Sequence, residues 1–299
     1  MTWELYRWVW VLKSPLSIGM APSGALNRCR LYVPARALWG AVTAEIARRH
    51  NDNFPDYTTI GTEIEKSIRF TFLFPALKVE QNWKAWLPCY LEEKGLCWEL
   101  EDNNNDPENR ISDNTFRAKL LDTRPGTAID PASDSAEESS LRETECIQTY
   151  WRSNGMQTPK EYSSVGMGGY VFFRANSQYV ESAKKIKNLF IGGDTRYGLG
   201  KLIRSDFSEQ TKVFGETVDL SKESPVITSS RVLGPTEKES TQTKEFMIGD
   251  LEVLSGWDYT LRSKDQNFKK IYWIPGSAIS NNEKQANWRI ESSGFWTKL

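Results

Sequence analysis

Leu189-Phe190-Ile191-Gly192-Gly193-Asp194-Thr195-Arg196-Tyr197-Gly198-Leu199-Gly200-Lys201-Leu202-Ile203-Arg204 decides how this chain of 299 residues reads. Four glycines fall within nine positions, with Asp194, Arg196 and Lys201 between them and apolar residues on both sides. Such a run describes a tight turn entered and left by buried structure, in which glycine supplies positive φ and close backbone approach. Successive exposed N–H groups would form an anion-binding concavity, and Arg196 and Lys201 add positive charge at its rim. The alternative is a glycine-rich hairpin that binds nothing. Neither nucleotide motif fits: a P-loop closes on Lys-Ser or Lys-Thr, whereas Lys201 precedes Leu202, and a dinucleotide fingerprint spaces its glycines at one, three and six.

Outward from that run, size and composition set bounds. The chain can hold two small domains or one large one, and its 39% apolar content supports a sizeable core. Twelve Trp, eleven Tyr and thirteen Phe suit a thick core or base-stacking platforms equally. A formal charge of −1 gives no global basic field, so any nucleic-acid surface must be local. Basic residues gather at Arg28, Arg30, Arg36, Arg48 and Arg49, and again at Lys184, Lys185, Lys187, Arg196, Lys201 and Arg204; acid gathers at 99–108 and 134–145. The cysteines Cys29, Cys89, Cys97 and Cys146 form no C-x-x-C pair and His50 is the sole histidine, which argues against zinc and for a reducing compartment. Glu4 and Arg7 stand where a signal peptide would be apolar, and no run reaches membrane-spanning length. The expectation is a cytoplasmic protein without a membrane partner.

Trp3–Leu12 is apolar on both faces, the pattern of a strand covered on two sides. After a turn-rich loop at 20–30, Pro34 precedes Leu38, Val42 and Ile46, the stripe of an amphipathic helix ending near Arg49. Ile68, Phe70, Phe72 and Phe74 alternate with other residues and predict one strand stopped by Pro75. Residues 76–115 read as a partly mobile insertion carrying a hairpin at 83–98, because their polar end leaves little to bury. Residues 120–148 suit a long protruding hairpin arm. A strand at 169–174 leads to a second helix with Tyr179, Val180, Ala183, Ile186 and Phe190 on its apolar face, and a strand leaves the glycine run. That order is the β-α-β-β-α-β of a ferredoxin-like unit. Residues 205–299 read as an extension of mixed β character, in which Ile274-Pro275-Gly276-Ser277-Ala278-Ile279 echoes the junction at 33–38.

Three stretches together resemble the RAMP superfamily of CRISPR-associated proteins. Ser14-Pro15-Leu16-Ser17-Ile18-Gly19 with Tyr32-Val33-Pro34-Ala35-Arg36-Ala37-Leu38-Trp39-Gly40-Ala41 is similar to its PLxIG…IPGSSLxGAL opening. Thr127-Ala128-Ile129-Asp130-Pro131 through Ala136-Glu137-Glu138-Ser139-Ser140-Leu141 to Glu145 is similar to the TAID…AEEGxL…E arm of type III backbone subunits, with Ser139 where glycine is usual. Gly192 to Leu202 is similar to its G-rich loop. The resemblance, spanning about residues 3–204, implies an α+β fold. Its ferredoxin-like (RRM-like) RAMP core would be residues 1–75 and 116–204, with a large insertion at 76–115 and a protruding β-hairpin thumb at about 120–148.

It further implies a Cas-seven-like backbone subunit of a type III effector, the type III-D branch among the possibilities, binding guide RNA (crRNA) in antiviral defence. Its partners would be guide and target RNA, further backbone and guide-end subunits, and a large polymerase-like subunit. Asn27, Arg28, Arg36, Gly192, Gly193, Thr195, Arg196, Tyr197, Gly198, Gly200 and Lys201 are then the candidate RNA-binding residues. Arg36 at a helix start and the glycine turn would hold phosphates without reading bases. Ile129, Asp130 and Leu141 are the candidate thumb residues, packed either against bases as wedges or in the hairpin core. Cleaving members use an aspartate in the loop after the first strand with metal-assisted chemistry; here 20–30 holds Asn27 and no acid, so weak or absent cleavage is expected, a divalent metal being needed only if it cleaves. Asp130, Asp194 and His50 are the residual catalytic candidates. A guide-processing endoribonuclease with His50 as general base, and a scaffold that binds only protein, are the alternatives.

Overall fold

The computed structural model describes residues 2–50, 54–102, 110–152, 163–238, 247–257, 267–280 and 285–299. Strand β1 (Trp3–Leu12) is followed by the two-residue β2 (Leu26–Asn27), then by helices α1 (Ala35–His50) and α2 (Tyr57–Ser67). Next come β3 (Ile68–Phe70), β4 (Phe74–Val79), β5 (Asn82–Leu91), β6 (Gly95–Leu100), β7 (Arg110–Ser112) and α3 (Asp113–Leu120). The arm holds β8 (Leu121–Gly126), β9 (Ile129–Asp130), β10 (Ser135–Ala136) and β11 (Arg142–Ile147). After it run β12 (Gly166–Arg174), α4 (Val180–Lys184), β13 (Asn188–Phe190) and β14 (Lys201–Glu209). Among the described residues ten short strands follow: β15 (Lys212–Val213), β16 (Glu216–Asp219), β17 (Val226–Ser229), β18 (Thr236–Glu237), β19 (Met247–Ile248), β20 (Leu251–Trp257), β21 (Asn267–Trp273), β22 (Ala278–Ile279), β23 (Ala286–Ile290) and β24 (Trp296–Lys298).

Among the described residues the largest sheet has nine strands in the order β13-β14-β1-β12-β4-β5-β6-β7, with β3 also paired to β12. β1 lies between β12 and β14 and is antiparallel to both. Its alternation sends successive side chains to opposite faces. Tyr6 stacks on Phe207 at 4.6 Å with Lys184 of α4 above its ring. Arg7, next along, points the other way and donates to both Glu101 carboxylate oxygens at 2.8 and 2.6 Å and to the Trp83 carbonyl at 2.8 Å. Tyr170 joins this cluster through its hydroxyl, and burial pushes its pKa up to about 12. Trp8 and Trp10 are wholly buried, each large apolar side chain contributing on the order of 1.5–3 kcal/mol.

Helix α1 buries Leu38, Val42 and Ile46, the stripe its sequence predicts, and begins where Ala37 and Leu38 donate to the Pro34 carbonyl. Its neighbour α2 is an element the sequence reading left out. Asp56 caps it by accepting from the Thr59 N–H at 2.9 Å, and Ile60, Gly61 and Ile64 form its buried side. Trp39 of α1 donates to the Gly61 carbonyl, so one residue without a side chain lets the two helices meet.

Four expectations change. The strand predicted through 68–74 is two, because Thr71 leaves the ladder: its hydroxyl accepts from the Tyr170 N–H at 2.8 Å while the chain crosses over Gly169. Pro75 stops nothing; it sits inside β4 opposite Met167. The stretch 76–100 is far from empty of buried surface. Ala76, Ala85, Leu87, Cys89, Cys97 and Trp98 are buried as β4 to β6 extend the main sheet, and Glu101 is buried in the Arg7 pair. The mobility expected for its acidic end at 103–109 lies outside the described residues. The second helix is only five residues long. Tyr179 enters it at φ 67°, and Phe190 leaves its predicted apolar face to stand 49% exposed on β13.

Beyond β14 the chain turns back over the sheet face that bears Arg7 and Tyr170. Val213 and Phe214 enter the core, and the Phe214 ring meets Tyr170 edge-on at 4.8 Å and Phe74 at 5.7 Å. The strands that follow form a five-stranded sheet, β15-β16-β17-β23-β24, and the small sheets β18-β21-β20 and β19-β22. Gly294, between β23 and β24, lies where a side chain would overlap Ala35 at the start of α1. The echo at 274–279 leads into β22 rather than a helix; Ser277 is buried and donates to the Ile274 carbonyl.

Candidate functional site

The segment 14–19 after β1 binds the glycine turn and the arm to one support. Gly193 N–H donates to the Ser17 carbonyl at 2.9 Å and Gly200 N–H to the Pro15 carbonyl at 2.8 Å. Leu16 exchanges both backbone hydrogen bonds with Ile147 at the foot of the arm, and Leu16 and Ile18 are buried beneath the turn. Two of the three stretches that carry the resemblance, and the base of the third, are thus hydrogen-bonded to one another.

The glycines divide by role. Gly192 (φ 90°) and Gly200 (φ 75°) are required by packing, since a side chain at either would overlap a backbone carbonyl, of Ser17 and Ile191 respectively. Gly198 (φ 84°) has open space around it and serves the backbone angle alone. The expected cradle of main-chain amides is therefore narrower than the glycine count implies. Gly193, Tyr197, Gly198, Leu199 and Gly200 spend their N–H groups on protein carbonyls. The N–H groups of Asp194, Thr195 and Arg196, at the start of a single 3-10 turn (Thr195–Tyr197), donate to no other described residue.

The arm is an antiparallel pair, β8 with β11, extended by β9 with β10. Its tip is exposed. Ile129 and Leu141 are 65% and 63% accessible, which removes the hairpin-core reading of both. Ser139, standing where the family pattern has glycine, sits at φ 62°. Asp130 is a turn residue: its oxygens accept from Ala132 N–H at 3.0 Å and the Ser133 hydroxyl at 2.7 Å, which lowers its pKa.

One face of the arm looks at the glycine turn. Arg124 and Thr144 are directly opposite each other across β8 and β11 and so share a face, as do Gly126 and Arg142. The Thr144 hydroxyl lies 3.5 Å from a carboxylate oxygen of Asp194, and the Arg142 guanidinium covers one side of the Tyr197 ring at 5.3 Å. Between the walls is a groove of about 530 Å³, lined among others by Arg124, Arg142, Asp194, Tyr197 and Leu199. Tyr197 remains 72% exposed. Arg124, Arg142, Arg196 and Lys201 are exposed and make no ion pair with a described residue.

Other candidates lie nearer or farther. β2 runs parallel to β11 with Asn27 beside Thr144, so the loop after β1 reaches the same face, and Arg28 is next to it. Arg36 is exposed on the first turn of α1, whose start the C-terminal segment touches at Ala35. His50 is not at this site. It stands at the last turn of α1, edge-on to Tyr179 at 5.2 Å and 3.4 Å from the Ser182 hydroxyl. That is the end of the sheet where Trp3 pairs with Arg174, roughly 30 Å by strand rise from the Leu12 end near the turn. Asp130 and Asp194 are likewise apart, at the tip and foot of the arm. Among the described residues no three His, Cys, Asp or Glu side chains converge as a donor set for a metal ion. No described helix is long and apolar enough to cross a membrane.

The sequence reading missed Arg124 and Arg142. Arg124 and Arg142 lie on opposite sides of the arm motif, and they share a face only through the observed register, which sets Arg124 opposite Thr144 and Arg142 opposite Gly126. Several basic residues counted as a cluster are spent internally: Arg30 pairs with Glu252 at 2.5 Å, Lys184 with Glu4 at 2.7 Å, and Arg48 and Arg49 with Glu45.

No protein-family model and no curated protein matches the sequence. Solved structures do match. A chain of the Type III-B Cmr-beta complex bound to cognate target RNA and AMPPnP superposes with a TM-score of 0.55 at 11% identity, covering 92% of this chain and 85% of that one. A chain of Type III-B Cmr-beta bound to cognate target RNA gives 0.53 at 12% identity, covering 91% and 86%. At such identities the likeness is one of fold: this chain shares a mixed α+β architecture with those effector-complex chains.

Proposed function

We propose that this chain is an RNA-binding subunit of a type III CRISPR effector, holding the guide strand by its sugar-phosphate backbone along the glycine turn and the foot of the arm. The observation that carries the reading is convergence. In a chain of net charge −1, two exposed cations of the arm, Arg124 and Arg142, line one groove with Asp194 and Tyr197 of the glycine turn, and the same turn carries exposed Arg196, exposed Lys201 and three amides that donate to no other described residue. Phosphate contacts of this kind fix a strand without reading its sequence. The fold shared with chains of RNA-bound Cmr-beta complexes supports the same partner class.

The finer reading has its own support. Taken alone, β1, α1, β3, β12, α4 and β14 give the sheet order β14-β1-β12-β3 with every neighbour antiparallel, which is a ferredoxin-like connectivity. We therefore read the arm as the thumb of a backbone subunit, its exposed Ile129 and Leu141 as wedges beside bases, and its partners as guide RNA, target RNA and sibling subunits. We read any cleavage as weak or absent, since the loop at 20–30 offers no carboxylate and Asp130 is committed to its turn, which leaves Asp194 as the carboxylate at the groove. Replacing Arg196 and Lys201 together by Ala tests the reading. Losing two phosphate contacts should flatten the slope of log affinity against log salt by about 1.4 for single-stranded RNA. An unchanged slope would remove the glycine turn from the interface.

A further inference from the structure

The groove between arm and turn is electrostatically divided, and we propose that it holds one unpaired ribonucleotide whose 2′-hydroxyl donates to the Asp194 carboxylate, making Asp194 the residue that distinguishes RNA from DNA. This rests on the RNA-binding reading above. Arg124 and Arg142 supply positive charge on the arm wall, and Asp194, on the opposite wall, supplies an acceptor that repels phosphate. Arg142 backs one side of the Tyr197 ring, leaving the other as a platform on which any base can stack. Thr144 faces Asp194 and is directly opposite Arg124, whereas Tyr197 lies at the level of Arg142. A phosphate on Arg124 and a base on Tyr197 therefore set the intervening ribose beside Asp194. The volume, about 530 Å³, suits one nucleotide.

Asp194 has no competing structural task. Its side chain does not cap the 3-10 turn it precedes, and among the described residues no cation pairs with it and its side-chain hydrogen-bond partner is the Thr144 hydroxyl at 3.5 Å. It also holds φ 52°, a left-handed conformation that glycine or asparagine would occupy more readily. A ribose contact reads sugar and ignores sequence, as a subunit accepting any guide requires.

The test measures affinity of the full chain for a short single-stranded oligouridylate and for its deoxy counterpart. The unaltered chain should prefer RNA. Asp194→Gly, which suits the backbone and deletes the carboxylate, should shrink that preference about tenfold, the scale of one hydrogen bond to a charged group. Asp194→Asn, retaining an acceptor oxygen, should keep most of it, and 2′-O-methyl RNA should bind the unaltered chain like DNA. If Asp194→Gly weakens RNA and DNA equally, or leaves their ratio unmoved, the inference falls and the RNA-binding reading stands. Binding of neither oligonucleotide by the unaltered chain overturns both.

Discussion

Substituting Gly200 by alanine separates the two jobs that glycine does in this turn. Gly198 and Gly200 have nearly the same backbone angle, φ 84° and 75°, so each alanine pays the left-handed penalty of roughly 1–2 kcal/mol. Gly198 pays nothing more, because no atom lies within 4 Å of where its side chain would stand. At Gly200 the new methyl overlaps the Ile191 carbonyl, and relieving it pulls apart two backbone hydrogen bonds, Ile191 N–H to Gly200 at 3.0 Å and Gly200 N–H to Pro15 at 2.8 Å. At about 1 kcal/mol net for each bond, Gly200→Ala should cost about 3–4 kcal/mol. Urea unfolding of the full chain, followed by the fluorescence of its twelve tryptophans, reads both variants against the parent. Should Gly200→Ala prove no more destabilising than Gly198→Ala, the account of the turn as packed backbone to backbone on 14–19 is wrong.

Because Ile129 and Leu141 are mostly exposed, replacing either by Ser should move stability by under about 0.5 kcal/mol while weakening capture of target RNA by the guide-loaded particle; a large loss of stability would return them to a core. Cys29 is raised to about 12 from 9.0, chiefly by burial. The unfolded chain therefore releases this proton first, so stability should fall as pH rises from about 9 to 12, and in the folded protein at pH 8 Cys29 should resist iodoacetamide. Rapid alkylation there, with the fold intact by circular dichroism, would contradict its burial.

What could be read in the sequence was what repeats or excludes. The two-faced apolar pattern of β1 and the 38-42-46 stripe of α1 each have one physical solution, and each element formed within a residue or two of its predicted bounds. Local pattern failed where a distant residue decides. Ile68 to Phe74 alternates as one strand should, yet the hydroxyl of Thr71 finds a backbone partner on β12 and splits it. Glu101 looked like one more acid in a solvated run because its partner, Arg7, lies 94 positions away. Of the candidate site, the glycine turn and the arm stretch were visible singly. The groove between them was not, because it depends on Leu16 joining Ile147 and on the register that sets Arg124 beside Thr144.

The return of the chain across the Arg7 side of the sheet, sealed by Phe214 against Tyr170 and Phe74, has a consequence for how a strand of RNA is approached. RNA-recognition sheets of the open kind lay bases flat on bare aromatic strands. In this molecule that tabletop is roofed, and helices occupy the underside. On the RNA-binding reading proposed above, a polynucleotide would be left with the rim, threaded lengthwise past the ends of strands, so that its grip would depend on how neighbouring loops are spaced rather than on what any strand displays.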